Sequence, residues 1–468
     1  MPSDITADCH CIIGHPQQAR LLTVRQTQTW SLPTVRVPAM QYDYHAAAIA
    51  RELYDRFRLN TRVLRLVYRQ GRRIWLEMEH LPTRATPTAS TAWMDRAELE
   101  HAFSGRPELA GPCLDWLDSR ANPATPGELR PWQQPGWFEH AERWIERQLH
   151  RHKLVRRAPV VQYRAGWDRS CLLAVLTDAG WCYFKAASPR APREAELVPA
   201  LSALCPGVVD APLAVEPDRN WMLSRDFLQD GELLREPDRL PECAAALARL
   251  QAAAMDDEDR WRALGCPRLG AAELVDYFAA PERLTGVLEQ AGLALSGPER
   301  DALPLRCAHI VREAERLAEQ RLTHSLVHTD FRNDNLVLKP SGPRIIDWSE
   351  AVVAEPHFAL ARILIDHENS CRQARPQAGV MRIPASLMER IRSAFDSALP
   401  SAVRPSDPQP VWEAVNALAQ PWSIVLAARR LEAAAEQPSF ESSQIPAQIL
   451  ARLRWMLARG APDSAGAR

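Results

Sequence analysis

The stretch Leu326–Trp348, LVHTDFRNDNLVLKPSGPRIIDW, limits what this chain can fold into more than any other. A short apolar run ends at His328. Asp330 and Asn335 follow, then Leu336–Leu338, a turn at Pro340-Ser341-Gly342-Pro343, and Ile345-Ile346 leading into Asp347. Short apolar runs separated by turn residues predict loop, strand, turn, strand. Every polar side chain of interest then stands in the loop or at the end of a strand.

The spacing His-x-Asp-x4-Asn, followed by an apolar pair and Asp, matches the catalytic-loop and metal-binding arrangement of phosphoryl transfer. In that chemistry one carboxylate accepts a hydroxyl proton, while an amide and a second carboxylate hold Mg²⁺. Asn335 and Asp347 supply the hard oxygen atoms that Mg²⁺ prefers. By chance the pattern should occur in roughly one or two such chains in a hundred. On these residues the chain resembles the aminoglycoside phosphotransferase and choline kinase-like family of small-molecule kinases. It departs from that family in three places. Thr329 stands where Gly is usual, Ala359 replaces the acid of a closing Asp-Leu-Ala, and Leu250-Gln251 replaces a Leu-His pair.

The resemblance covers about residues 158–460 and implies an α+β, bilobal protein-kinase-like fold with a small β-rich lobe and a large helical lobe. It implies ATP and Mg²⁺ as cofactors and a small hydroxylated acceptor. Asp330 would meet the acceptor hydroxyl, His328 would brace the catalytic loop, and Asn335 and Asp347 would be the metal ligands. Three strands are expected over 160–186, with the turn around Gly166 lying over the nucleotide phosphates and Lys185 at the end of the third. Glu194 would orient Lys185, with Glu196 as the fallback, and the backbone from Ser224 to Asp226 would contact adenine. Lysine usage supports the choice of Lys185. Only Lys153, Lys185 and Lys339 occur among 57 basic residues, so a lysine at a phosphate-facing position suggests a need for a compact ammonium. Lys153 and Lys339 read as surface residues. Glu350, Glu355, Asp366 and Glu368 could form an acidic rim suited to an amine-bearing acceptor.

The N-terminal stretch resembles a different family. Trp30-Ser31-Leu32-Pro33 and Ala48…Arg51-Glu52-Leu53 match the entry and the metal helix of a Nudix domain. The glycines of that motif are replaced by Thr34 and Val35, and Arg56 stands among the carboxylates, so a degenerate, non-hydrolytic Nudix-like α/β domain is expected. Its helix is expected over Tyr44–Leu59 with Ala47, Ala48, Leu53 and Phe57 facing the core. The resulting division is a Nudix-like domain over 1–100, a linker and connecting helix over 101–157, and a kinase-like N-lobe over 158–230. A C-lobe over 231–460 and a disordered tail over 461–468 complete it.

Composition narrows the function classes. The chain has 468 residues, is 46% hydrophobic and 25% charged, and carries a formal net charge of −1. Those proportions are ordinary for a globular protein. The interspersed charges do not suggest a nucleic-acid partner, and no apolar run is long enough to suggest a membrane span. The N-terminus lacks the pattern of a signal peptide. Scattered cysteines point to reduced thiols and a cytoplasmic location. Self-association through the Nudix-like domain is a further expectation. A non-catalytic nucleotide sensor is the alternative function, built from the same two domains.

Overall fold

The computed structural model describes residues 6–26, 28–38, 46–81, 90–121, 129–163, 169–189, 191–372, 382–434 and 440–458. They form two compact units, 1–188 and 189–468. Gly166 lies outside the described residues, as do Tyr44 and the 461–468 tail. The N-terminal part is β-rich and the C-terminal part is helical.

In the first unit, β1 (Thr6–Ile13), β2 (Leu21–Gln26), β3 (Thr29–Ser31) and β4 (Thr34–Pro38) precede α1 (Ala46–Phe57), and β5 (Thr61–Gln70), β6 (Arg73–His80) and β7 (Thr91–Met94) follow it. One sheet has the order β4-β1-β6-β5, with β1 and β6 parallel; a second is β3-β2-β7. The two-residue period of a strand sends alternate side chains to opposite faces. Cys9, Cys11, Ile74, Leu76 and Met78 therefore join α1 in one core, while Ile12 and Trp75 face another. Cys9-His10-Cys11 is split the same way, so its side chains cannot converge on one ion. Burial holds the Cys9 thiol protonated, its pKa pushed up to about 12.

On α1 the buried residues are Ala46, Ile49, Leu53 and Phe57. The expected Ala47 and Ala48 turn away, because the 3.6-residue stripe that includes Leu53 and Phe57 runs back through Ile49. α2 (Arg96–Ala102) adds Leu99 to the second core, and within the expected linker α3 (Pro107–Ala121) adds Cys113, Trp116 and Leu117. α4 (Trp137–Arg151) buries Trp144 and Leu149, as its amphipathic pattern requires. β8 (Val161–Gln162), β9 (Ser170–Thr177) and β10 (Gly180–Ala187) form an antiparallel meander.

The second unit opens with α5 (Glu194–Leu204), β11 (Ala214–Glu216), β12 (Trp221–Arg225) and β13 (Glu232–Leu233). A helical run follows: α6 (Leu240–Ala254), α7 (Glu258–Ala263), α8 (Ala271–Phe278), α9 (Glu282–Gln290) and α10 (Gly297–Glu319). Next come β14 (Ser325–Val327), β15 (Leu336–Lys339), β16 (Gly342–Ile345) and β17 (Val352–Ala354). The unit closes with α11 (Ala361–Arg372), α12 (Ala385–Ala398), α13 (Gln409–Ala434) and α14 (Phe440–Ala458). α6 is apolar nearly all round, so it is buried nearly all round. Its small alanines let α12 and β14 pack directly onto it. α5, α10, α13 and α14 each carry an internal proline. Each forfeits a helical hydrogen bond, which tertiary packing offsets. Among the described residues, no helix is long and apolar enough to cross a membrane.

Lys339 is not a surface residue. Its side chain is 11% exposed, and its ammonium lies 3.0 Å from Asp210 and 2.8 Å from Asp230. Arg344 reaches the other oxygen of Asp210 at 2.6 Å. The segment before β11 is thereby tied to the β15–β16 hairpin. Lys339→Met should lower stability to urea by about 1–2 kcal/mol. Most of that loss belongs to the Asp210 contact, since Asp230 is exposed and screened. Lys153→Arg, at an exposed position, should stay within about 0.5 kcal/mol. Equal effects of the two changes would contradict this account.

Candidate active site

β14 brings the chain to the site. Its three residues are buried and pair with β17, Val327 opposite Val352. Gln251 on α6 fixes where the strand ends. Its amide donates to the carbonyls of Leu326 and Pro356, both at 3.2 Å, and the Ser325 hydroxyl donates to the Gln251 carbonyl at 2.7 Å. The chain thus has a neutral amide donor at the position noted as a departure from the family pair.

His328 follows β14 and is 2% exposed. Nε2 lies 3.0 Å from the Ile346 carbonyl, and Nδ1 accepts the Asp330 N–H at 3.3 Å. The two contacts select the tautomer that is protonated at Nε2. The ring also meets the Trp348 ring edge-on, 4.8 Å between centroids. Burial pushes the His328 pKa below the usual histidine value, against the pull of the Ile346 carbonyl. The imidazole is a neutral strut between the loop that carries Asp330 and the segment that leads from β16 into Asp347.

Asn335 closes a single 3-10 turn (Asn333–Asn335) and immediately precedes β15. Its Nδ2 donates to the backbone carbonyl of Asp330 at 2.9 Å and to Oδ2 of Asp330 at 3.0 Å. That orientation leaves the amide oxygen as the atom available to a cation. The Asn335 carbonyl accepts from Ile346 N–H at 3.0 Å, continuing the hairpin register in which Leu336 faces Ile345. The hairpin therefore sets Asn335 and Asp347 side by side at its open end.

Asp347 is exposed and has φ +65°, in the left-handed region. Aspartate tolerates that conformation better than most residues. The twist lets Trp348 turn inward, 1% exposed, and donate to the Ile345 carbonyl at 3.1 Å. One Asp347 oxygen accepts from the Ser349 hydroxyl at 2.7 Å. An amide oxygen and a carboxylate of this kind are hard donors that fit Mg²⁺, which is commonly held by few protein ligands together with substrate phosphates. Among the described residues, no group of three His, Cys, Asp or Glu side chains could hold a metal as a protein cage.

The other expected site residues are positioned as follows. Lys185 is half-buried on β10, opposite Leu172, and the strand continues two residues beyond it. Glu194 is buried at the start of α5, whose first turn is anchored by Asn220 through contacts to Ala195 N–H at 3.0 Å and the Pro192 carbonyl at 3.2 Å. Glu196, the fallback, pairs with Arg193 at 2.9 Å. Ser224 is buried on β12, beyond the last β11 pair at Leu223, and Asp226 accepts from Leu228 N–H at 2.9 Å.

The acidic rim is not formed as expected. Glu355 is 4% exposed and caps α8, accepting from Ala271 N–H at 3.1 Å, with His324 3.5 Å away. Gly270 beside it has no room for a side chain, since a Cβ there would lie 2.6 Å from a Glu355 oxygen. Glu350 pairs with Arg430, and its carbonyl accepts the Thr329 hydroxyl at 3.1 Å. Asp366 is buried, which raises its pKa, and it pairs with Arg362 at 3.5 Å. The partners of Glu350 and Glu355 are distant in sequence, a feature that no local pattern carries, whereas Asp366 has its partner one turn earlier on the same helix. Arg332, also unforeseen, pairs with Asp330 at 3.2 Å.

Because burial holds the folded-state pKa of His328 below the ordinary histidine value of about 6.5, the unfolded chain binds its proton more tightly. The stabilisation from the neutral ring is complete above about 6.5 and lost as pH falls below it. His328→Gln removes that proton-linked contribution, so the stability gap between parent and variant should narrow by up to about 1.4 kcal/mol per pH unit of acidification. Denaturant unfolding at pH 7 and pH 5 measures it. A gap that widens on acidification would contradict the buried neutral assignment.

Comparison with known proteins matches residues 183–391 to the model of the phosphotransferase enzyme family. No curated protein sequence matches the chain. Among solved structures, a choline/ethanolamine kinase family protein from Mesorhizobium loti is 16% identical, with 66% of this chain and 90% of that chain covered and a TM-score of 0.42. Aminoglycoside 2′-phosphotransferase-IIIa, solved as a GDP complex, is 16% identical over 68% of this chain and 99% of that chain, with a TM-score of 0.44. A UDP-X diphosphatase is 14% identical over 26% of this chain and 66% of that chain, with a TM-score of 0.20.

Proposed function

We propose that this chain is an ATP-dependent phosphotransferase that moves the γ-phosphoryl group to a hydroxyl of a small molecule. The observation that carries the reading is the Asn335 amide bound to both the carbonyl and the carboxylate of Asp330. One residue thereby aims the candidate base and presents an amide oxygen beside Asp347. The family match over 183–391 supports the same reaction type.

In this mechanism Asp330 receives the acceptor proton as the hydroxyl oxygen attacks phosphorus. Asn335 keeps the Asp330 carboxylate from rotating away, and His328 holds the loop backbone that carries both. Asn335 and Asp347 would hold Mg²⁺, which when bound offsets charge on the phosphate oxygens. Lys185 would contact the nucleotide phosphates with Glu194 orienting it, and the backbone of Ser224–Asp226 would receive the adenine. Gly166 belongs to the proposed phosphate loop.

The N-terminal residues 1–100 are read as a Nudix-like fold without hydrolytic chemistry. Arg56 lies 3.8 Å from Glu52 and donates to the Thr34 carbonyl at 3.0 Å. A guanidinium among the oxygens that a divalent cation would need opposes binding of that cation.

Asp330→Asn should reduce transfer by roughly 10²–10⁴-fold while leaving nucleotide affinity nearly unchanged. Retention of more than about a tenth of the rate would remove Asp330 from the role of base. The same full-length variant should show no Mg²⁺-dependent cleavage of nucleoside diphosphate derivatives. Robust cleavage there would make the protein bifunctional and overturn the reading of its N-terminal unit.

A further inference from the structure

A strand at the edge of a sheet leaves a row of backbone donors and acceptors that something must cover. The first unit has two such edges: β5 ends the sheet β4-β1-β6-β5, and β8 ends its own sheet. The Gln162 side chain of β8, 5% exposed, joins them by taking the place of a ladder partner. Val63 N–H donates to its Oε1 at 3.0 Å, and its Nε2 donates to the Val63 carbonyl at 2.9 Å. One amide thereby satisfies both backbone groups of Val63, at the residue where the first bulge shifts the register of β5. Arg62, the preceding residue, donates to the carbonyl of Val160 at 2.8 Å and to Glu142 of α4 at 3.2 Å.

α4 ties the two sheets a second time. Its N-cap residue Gly136 donates to Glu79 on β6 at 2.5 Å. The rings of Trp144 and Trp137 lie 5.6 and 6.1 Å from the ring of Phe184 on β10. Phe184 is fully buried, and the next residue in the strand is Lys185. Side chains alternate along a strand, so anchoring Phe184 fixes the face on which Lys185 is presented. Register links the same lysine to Gln162. Gln162 stands opposite Leu173 on β9, Tyr163 N–H donates to the Leu172 carbonyl at 3.0 Å, and Leu172 stands opposite Lys185. A continuous line of pairing thus runs from Val63 in the N-terminal fold to Lys185. A meander whose outer strand has two residues needs a packing partner to hold its shape, and β5 and α4 supply it.

We infer that the N-terminal fold is the anchor for the nucleotide half of the proposed site, and that Gln162 is a positioning residue that sets where Lys185 stands through the β8–β9–β10 register. The inference rests on the reading of Lys185 as the phosphate contact. It gives the first hundred residues a role in phosphoryl transfer that requires no ligand of their own.

The test uses the full chain. With an unreactive ATP analogue and Mg²⁺, Gln162→Leu should weaken nucleotide binding by about tenfold, and Lys185→Ala by at least as much. Because Gln162 acts through Lys185, the double variant should bind no more than about twofold more weakly than Lys185→Ala alone, whereas a general loss of packing would multiply the two effects. In turnover, the KM of Gln162→Leu for ATP should rise about tenfold with kcat changed less than about twofold. Hydrogen exchange supplies an arm that needs no nucleotide. Amides of residues 172–185 should exchange at least about tenfold faster in Gln162→Leu, while those of α12 and α13 keep the rates of the parent. If that variant fails to fold, Arg62→Gln, which loses the ties to Val160 and Glu142, carries the same measurements. Multiplied effects on binding, or exchange that rises equally throughout the chain, would overturn the positioning role and leave the transferase reading intact. A parent that binds no nucleotide, with the exchange response confined to β9 and β10, would sustain the anchor and contradict the transferase.

Discussion

A single buried imidazole holds the candidate site together. His328 bridges the Asp330 N–H and the Ile346 carbonyl, so the loop that carries Asp330 and the segment that precedes Asp347 share one strut. Each contact on its own contributes only about 1 kcal/mol net, but a buried orphan on either side would cost about 1–3 kcal/mol. The ring can do this only while neutral, and its burial under Trp348 keeps it so. Everything else at the site is built onto that strut. Asn335 aims the Asp330 carboxylate, and the β15–β16 register brings Asn335 and Asp347 to the same end of a hairpin.

Support for the strut comes from residues far away in the chain. Gln251 on α6 holds both β14 and the turn at Pro356, and Ser325 returns a hydrogen bond to α6. Lys339 and Arg344 converge on Asp210 and bind the hairpin from its other end. The hairpin is thus clamped at both ends by polar contacts with little exposure to water, where such contacts are worth most. Basic residues do much of this work.

The hairpin that leads into Asp347 was legible in the sequence, because its strands and turn lie within one short stretch whose spacing reflects the pairing itself. What depends on tertiary packing was not legible. Arg62, Arg65 and Arg69 interrupt β5, and its bulges at Val63/Arg65 and Leu66/Tyr68 break the two-residue alternation by which a strand is found. Pro304 hid the first half of α10, which a Ser296–Glu299 capping box nonetheless starts. α3 contains Gly111-Pro112 and reads as a loop, but Trp116 and Leu117 hold it in the core. Charge was the hardest property to place. Lys339 and Glu355 look like surface residues until their partners, Asp210 and the N-terminus of α8, are brought to them by the fold.

The central claim is that Asn335 and Asp347 form, with a bound nucleotide, a Mg²⁺-dependent phosphoryl-transfer site. Nucleotide affinity measured by calorimetry with and without Mg²⁺, in the parent and in Asp347→Ala, tests it most directly. The account predicts clearly tighter binding with Mg²⁺ in the parent and a dependence largely lost in the variant, because Asp347 brings the one full negative charge of the pair to the ion. Equal affinity with and without Mg²⁺ in the parent protein would contradict it.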